Sequence, residues 1–153
     1  MSAEIIDGKS FSKNLIEKVK NAVSGIMSKY NFKPGLAVVL VGENPASEVY
    51  VKNKVLQTEY SGMNSIEHRL PETTSQDELI KLVDNLNNDD SIDGILVQLP
   101  LPKHIDEQSI INFISPEKDV DGFNVTNVGL LSTGGNGLIP CTPLGCLLLL
   151  QDY

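Results

Sequence analysis

The sequence predicts an α/β domain, a three-layer α/β/α sandwich built on a mainly parallel sheet. Short β-rich runs, of which Leu36-Ala37-Val38-Val39-Leu40-Val41 is the most continuous, are apolar on both faces, as buried parallel strands require. Longer segments between them repeat their apolar residues at the helical period, so strand and helix signals alternate along the chain. Size sets the domain count: 153 residues with 41% hydrophobic content are enough for one core and too few for two full domains.

The elements follow in order. Phe11, Leu15, Val19, Ala22, Val23, Ile26 and Tyr30 recur with helical spacing, which predicts a first helix from Ser10 to Tyr30, broken by Lys33-Pro34-Gly35. After the strand at 36–41, Asn44 is placed to cap and Pro45 to take the first helical position, giving a helix to about Tyr60 closed by Gly62. Ser65 to Leu70 is a short alternating strand. Ser75-Gln76-Asp77-Glu78 is a capping box that opens a helix through Leu86. Gly94 to Val97 is the third strand, and Asp106 to Ile114 a further helix stopped near Pro116. Gly134-Gly135-Asn136-Gly137 is expected as a tight turn between two short apolar segments, and Thr142-Pro143 as the start of the last helix. In such a fold, ligands gather beyond the carboxyl ends of the strands.

Charge excludes some partners. Twelve Lys+Arg against 20 Asp+Glu leave a formal net charge of -8, which argues against nucleic acid and against an anionic membrane surface. The opening stretch Met1 to Lys9 lacks the basic and apolar regions of a secretory signal, so a cytoplasmic location is expected. Leu144 to Leu150 is far shorter than the roughly 18–20 residues that cross a bilayer and is expected as a buried helix. Cys141 and Cys146 are expected as small buried side chains and not as a disulfide or metal site.

Four groups of residues could carry chemistry. At about 100° per residue, Ser47, Tyr50 and Lys54 fall within an arc of roughly 60° on the helix after Asn44, while Lys52 points nearly the opposite way. The bland alternative is a solvated face with an incidental Tyr and Lys. Gln98-Leu99-Pro100-Leu101-Pro102 ends the third strand, leaving the Gln98 amide at a strand tip or simply marking a strand exit. Asp119-Val120-Asp121-Gly122 offers two carboxylates in a loop, as an Asx-turn or a weak likeness to a calcium loop; the further ligands of such a loop are lacking and no metal is expected. His68 and His104 are read as structural, and the glycines at 134–137 lack the Lys-Ser/Thr of a phosphate loop.

Taken in order, Ile6-Asp7-Gly8-Lys9, Val41-Gly42-Glu43-Asn44-Pro45-Ala46-Ser47 leading to Tyr50-Val51-Lys52-Asn53-Lys54, the Gln98 to Pro102 run, Pro116 to Phe123 and Pro140-Cys141-Thr142-Pro143-Leu144-Gly145 resemble the bifunctional methylenetetrahydrofolate dehydrogenase/methenyltetrahydrofolate cyclohydrolase family. The resemblance runs nearly end to end. It implies an amino-acid-dehydrogenase-like N-terminal domain in which Lys54 and Gln98 are catalytic and Ser47, Tyr50, Asp121 and Pro100 bind substrate, Tyr50 by packing on the folate and Asp121 by hydrogen bonds to the pterin. It further implies a tetrahydrofolate derivative as substrate, NADP as cofactor, and a parent that is a homodimer. Residues 1–143 would be the folate-binding catalytic domain and 144–153 the start of a helix leading to an absent NAD(P)-binding Rossmann domain. Two departures from the family pattern are Leu56, where many relatives have a second lysine, and Asn124, where many bacterial relatives have histidine. A folate-binding module without turnover, and the substrate domain of a shikimate-type or amino-acid dehydrogenase, are the alternatives.

Overall fold

A computed structural model describes residues 5–153; residues 1–4, part of the opening stretch read above, lie outside them. The first helix, α1 (Gly8–Tyr30), starts two residues earlier than expected because Asp7 caps it, accepting from the Lys9 and Ser10 amides at 3.1 Å. It ends at Asn31, which takes a left-handed conformation with φ 49°. Strand β1 (Gly35–Val41) follows, then α2 (Pro45–Tyr60), capped by Asn44 with Pro45 in its first turn as the sequence predicts. Strand β2 (Asn64–Leu70) precedes α3 (Gln76–Asn87), whose capping box is complete: Ser75 Oγ accepts from the Glu78 amide, and the Glu78 carboxylate accepts from the Ser75 amide at 2.8 Å. Strand β3 (Gly94–Val97) leads to α4 (Glu107–Phe113), α5 (Val125–Thr133) and α6 (Cys141–Gln151).

The three strands are parallel in the order β2-β1-β3, so β1 is the central strand its two-faced apolar sequence calls for. Alternate residues of β1 serve opposite faces. Ala37, Val39 and Val41 pack with Leu79, Val83 and Leu86 of α3 and Ile110 of α4, while Val38 and Leu40 pack with Val51 of α2 and Leu96 of β3. Helices therefore cover both faces, and the three-layer sandwich is present. Each of these buried Val, Leu and Ile side chains stabilises the fold by about 1.5–3 kcal/mol.

Three expectations are corrected at the C-terminal end: the turn at 134–137, the burial of 144–150 and the burial of the two cysteines. Gly134 is no hairpin turn: it closes α5 in the left-handed conformation, φ 73°, its amide reaching Leu130 and Leu131 carbonyls. The helix ahead of it had both of its signals in the sequence, Asn124 as N-cap and Gly134 as terminator. Residues 144–150 are helical but not buried: Leu147 is 51% and Leu150 64% exposed, because none of the described residues covers that side of α6. The boundary drawn at residue 143 falls inside α6. Both cysteines are free and exposed.

Candidate active site

The β1–α2 connection starts the site. Because α2 sets out from the carboxyl end of β1 and runs back over the sheet, its inner side carries Ser47, Val51 and Thr58 into the core. Lys54 lies at the edge of that buried stripe, so its stem is half covered and its ammonium reaches sideways toward β3. There Nζ donates to Gln98 Oε1 at 3.0 Å. Gln98 is held at three points: its backbone amide donates to Val39 O at 2.8 Å, its Nε2 donates to Leu99 O at 2.7 Å, and its Oε1 is left for the lysine. The strand-tip amide is thus an oriented acceptor and not an idle strand exit. A cis peptide joins Leu99 to Pro100.

The Asp119–Gly122 loop supplies the opposite wall. Ile95 of β3 donates to Lys118 O at 2.7 Å, which lays the chain parallel beside the sheet edge. Asp119, 1% exposed, then accepts from the Asn124 amide at 2.8 Å and Asn127 Nδ2 at 3.0 Å. This carboxylate is structural, as the Asx-turn reading allows, though nothing in the sequence pairs it with Asn124 and Asn127. Two glycines fix the loop's height. A Cβ on Gly94 would stand 2.5 Å from Val120 Cγ1, and one on Gly122, at φ 67°, would stand 2.7 Å from Pro140 N. Asp121 sits between these two close approaches. The Asn124 that departs from the family pattern caps α5 and donates to Ile114 O at 2.9 Å, holding the same loop from below.

Lys54, Asp121 and Cys141 line one hollow of about 470 Å³, floored by Leu36, Gly94, Leu96 and Val120 and edged by Gln57, Thr58 and Ser61 of α2. That is within the range of small-molecule sites, about 300–1,000 Å³. It is not wholly beyond the strand ends. It runs from Lys54, the hydrogen-bond partner of Gln98, back along the sheet face toward Gly35, because Lys54 is well along a helix antiparallel to the strands. Hollows of about 680 and 530 Å³ flank α1; in the larger one the Tyr60 hydroxyl donates to Glu17.

Of the residues singled out in the sequence, the structure brings Lys54, Gln98 and Asp121 together. Tyr50, one turn before Lys54, is 63% exposed and free to receive a ring. Ser47 is 3% exposed and turned into the core, and Pro100 lines a separate hollow with Glu43 and Glu72; neither lines the Lys54 hollow. His104 Nε2 is taken by Thr74 O at 2.8 Å. Among the described residues no group of three or more His, Cys, Asp or Glu is close enough to hold a metal.

Burial pushes the Asp121 carboxyl above its ordinary 3.8, opposed by the Lys54 ammonium and the Cys141 thiol and helped by Asp119. The folded chain therefore binds this proton more readily than the unfolded chain, and stability falls as pH rises from 3.8 through the raised folded value. At neutral pH the penalty is present in full. Asp121→Asn removes it, so its thermal midpoint should exceed wild type at pH 7 and converge with it below about pH 3.8, as differential scanning calorimetry would read.

The profile of the tetrahydrofolate dehydrogenase/cyclohydrolase catalytic domain matches residues 6–121. Bifunctional protein FolD 2 of Paracoccus denitrificans is 57% identical over 148 residues, 97% of this chain and 49% of the relative. Bifunctional protein FolD of Erythrobacter litoralis is 58% identical over 152 residues, 99% of this chain and 51% of the relative. Among solved structures, the Campylobacter jejuni bifunctional FolD aligns with a TM-score of 0.96 at 46% identity, covering 99% of this chain and 54% of that one. The Trypanosoma brucei FolD, solved with NADP cofactor and inhibitor, aligns at 0.95 and 32% identity, covering 99% and 52%. The chain spans about half the length of the curated relatives it matches. With this profile over most of its length and such identity across nearly all of it, the chain belongs to the tetrahydrofolate dehydrogenase/cyclohydrolase family, through that family's catalytic domain.

Proposed function

We propose that the hollow binds a tetrahydrofolate carrying a one-carbon bridge, and that Lys54 moves protons in the hydrolysis of the 5,10-methenyl form to the 10-formyl form. The observation that carries the reading is the Lys54 Nζ to Gln98 Oε1 hydrogen bond, 3.0 Å, opening onto the same hollow as Asp121. Water adding to the bridging carbon must lose a proton, N5 gains one as its bond to that carbon breaks, and the hydroxyl left on carbon loses its proton as the formyl C=O forms, so one proton leaves in all. Lys54, in the amine form that a cationic substrate beside it favours, can accept the first and deliver the second. Gln98, fixed at both ends of its amide, sets where Nζ stands. Asp121 accepts from the amino group and ring N–H of the pterin, and the exposed face of Tyr50 packs on the ligand. Ser47, turned into the core, and Pro100, in a separate hollow, have no direct part in this binding mode.

The full-length parent is proposed to oxidise 5,10-methylene-tetrahydrofolate with NADP and to work as a homodimer. The nucleotide does not fit this chain. The β1–α2 turn, where an α/β sheet would seat a pyrophosphate, carries Glu43 and faces Glu72, two carboxylates that repel it. Its site is assigned to the half of the relatives' length that lies outside this chain. The two free, exposed thiols suit a reducing, cytoplasmic setting. No helix among the described residues is long and apolar enough to cross a membrane.

Calorimetric titration of the chain with 5-formyl-tetrahydrofolate tests the site. Wild type should bind, and Asp121→Asn should weaken binding roughly tenfold or more, the worth of a hydrogen bond to a charged acceptor. A wild-type chain that fails to bind, or an Asp121→Asn chain that binds as tightly, contradicts the proposal.

A further inference from the structure

We propose that Cys141 is a positioning residue for this site, its thiol holding the Asp121 carboxylate turned toward the hollow that both share with Lys54. The inference rests on reading Asp121 as the acceptor for substrate. Cys141 Sγ lies 3.6 Å from Asp121 Oδ1, within reach of an S–H donor. Among the described residues this is the one hydrogen bond the Asp121 carboxylate receives, whereas Asp119, two positions earlier, is clamped by two donors. Asp119 is thereby committed to the fold; Asp121 is tethered at one oxygen and open at the other. A carboxylate has about four acceptor sites, so the thiol can hold Oδ1 while both oxygens still accept from a ligand.

The tether's origin lies in the backbone. Cys141 is the first residue of α6, and the segment before it passes so close to Gly122 that a Cβ there would stand 2.7 Å from Pro140 N and 2.8 Å from Ile139 C. The start of α6 is thus fixed against the loop, and the thiol is delivered to Asp121 by that contact. The charged groups around it are Asp121 and Asp119 on the loop, Lys54 on α2 and Asp93 ahead of β3.

Two measurements on the chain test the inference. Iodoacetamide alkylation, followed against pH by mass spectrometry, reads each thiol separately, with the exposed Cys146 on the same helix as internal reference. Asp121→Asn removes the negatively charged acceptor, so Cys141 should be alkylated faster at a given pH while Cys146 keeps its rate. A Cys141 rate that does not rise, or rises together with that of Cys146, overturns the tether. In titration with 5-formyl-tetrahydrofolate, Cys141→Ala should bind about fivefold more weakly and Cys141→Ser, which keeps a donor, should match wild type. Equal affinity of Cys141→Ala and wild type overturns the positioning role. A wild-type chain that does not bind at all sinks the folate reading, and the alkylation profile then decides by itself whether Cys141 holds Asp121.

Discussion

Lys54→Ala is expected to lower the hydrolysis of 5,10-methenyl-tetrahydrofolate by roughly 100-fold or more, the low end of what a positioned proton carrier contributes. The decay of methenyl absorbance, compared with buffer, measures it. The effect should be large because Lys54 is the one amine among the described residues that line the hollow. Gln98 offers an amide, which neither takes nor gives a proton at working pH, and Asp121 stands on the opposite wall. Folding should be little affected, since Lys54 is half exposed and its hydrogen bond to Gln98 lies at the rim of the core. Equal rates for wild type and variant, both above buffer, would remove the lysine from the mechanism.

The second large effect is expected at a glycine with no chemistry of its own. Gly122→Ala places a Cβ at φ 67°, which costs an L-residue about 1–2 kcal/mol. That Cβ also meets backbone atoms, Pro140 N at 2.7 Å and Ile139 C at 2.8 Å, which cannot rotate away as a flexible side chain could. The loop and the start of α6 must part. We expect a loss of about 2 kcal/mol or more in urea unfolding, and a folate affinity that falls further than the remaining folded fraction accounts for, because Asp121 and Cys141 separate. Gly94→Ala would press Val120 Cγ1 at 2.5 Å and displace the same loop from its other side. Unchanged stability and affinity in Gly122→Ala would mean that the loop's position does not depend on this contact.

These two sites differ in how well the sequence announces them. Local signals were read correctly where one or two residues decide the outcome: Asn44-Pro45 and Ser75 to Glu78 start helices because their side chains satisfy amides at once. The unbroken apolar run of β1 suffices to place it at the sheet's centre, since only a strand covered on both faces can be apolar on both. Gly134 was misread because a glycine at positive φ serves a turn and a helix end equally, and the helix before it is only nine residues long. The exposure of Leu147 and Leu150 could not be read from apolar composition, which reports what a helix would bury and not what is there to cover it.

The site divides in the same way. Helical spacing put Ser47, Tyr50 and Lys54 in one arc, but that arc straddles the line where α2 meets the sheet. Ser47 therefore falls inside, Tyr50 outside and Lys54 on the line, a distinction finer than the period resolves. The meeting of Lys54 with Gln98, 44 positions away, depends on strand order and helix direction. The motifs' resemblance to the family anticipated it; spacing alone did not. The partners of Asp119 and Cys141 went unseen because their contacts, with Asn127 and Asp121, exist only in the folded chain.

The most direct test is a crystal structure of the chain with 5-formyl-tetrahydrofolate bound. The account predicts the pterin amino group and ring N–H on the Asp121 carboxylate, the Tyr50 ring against the ligand, and Lys54 Nζ within hydrogen-bond distance of the one-carbon group. A ligand seated instead between α1 and α2, beside Leu56 and Tyr60, with Lys54 still bonded only to Gln98, would contradict it.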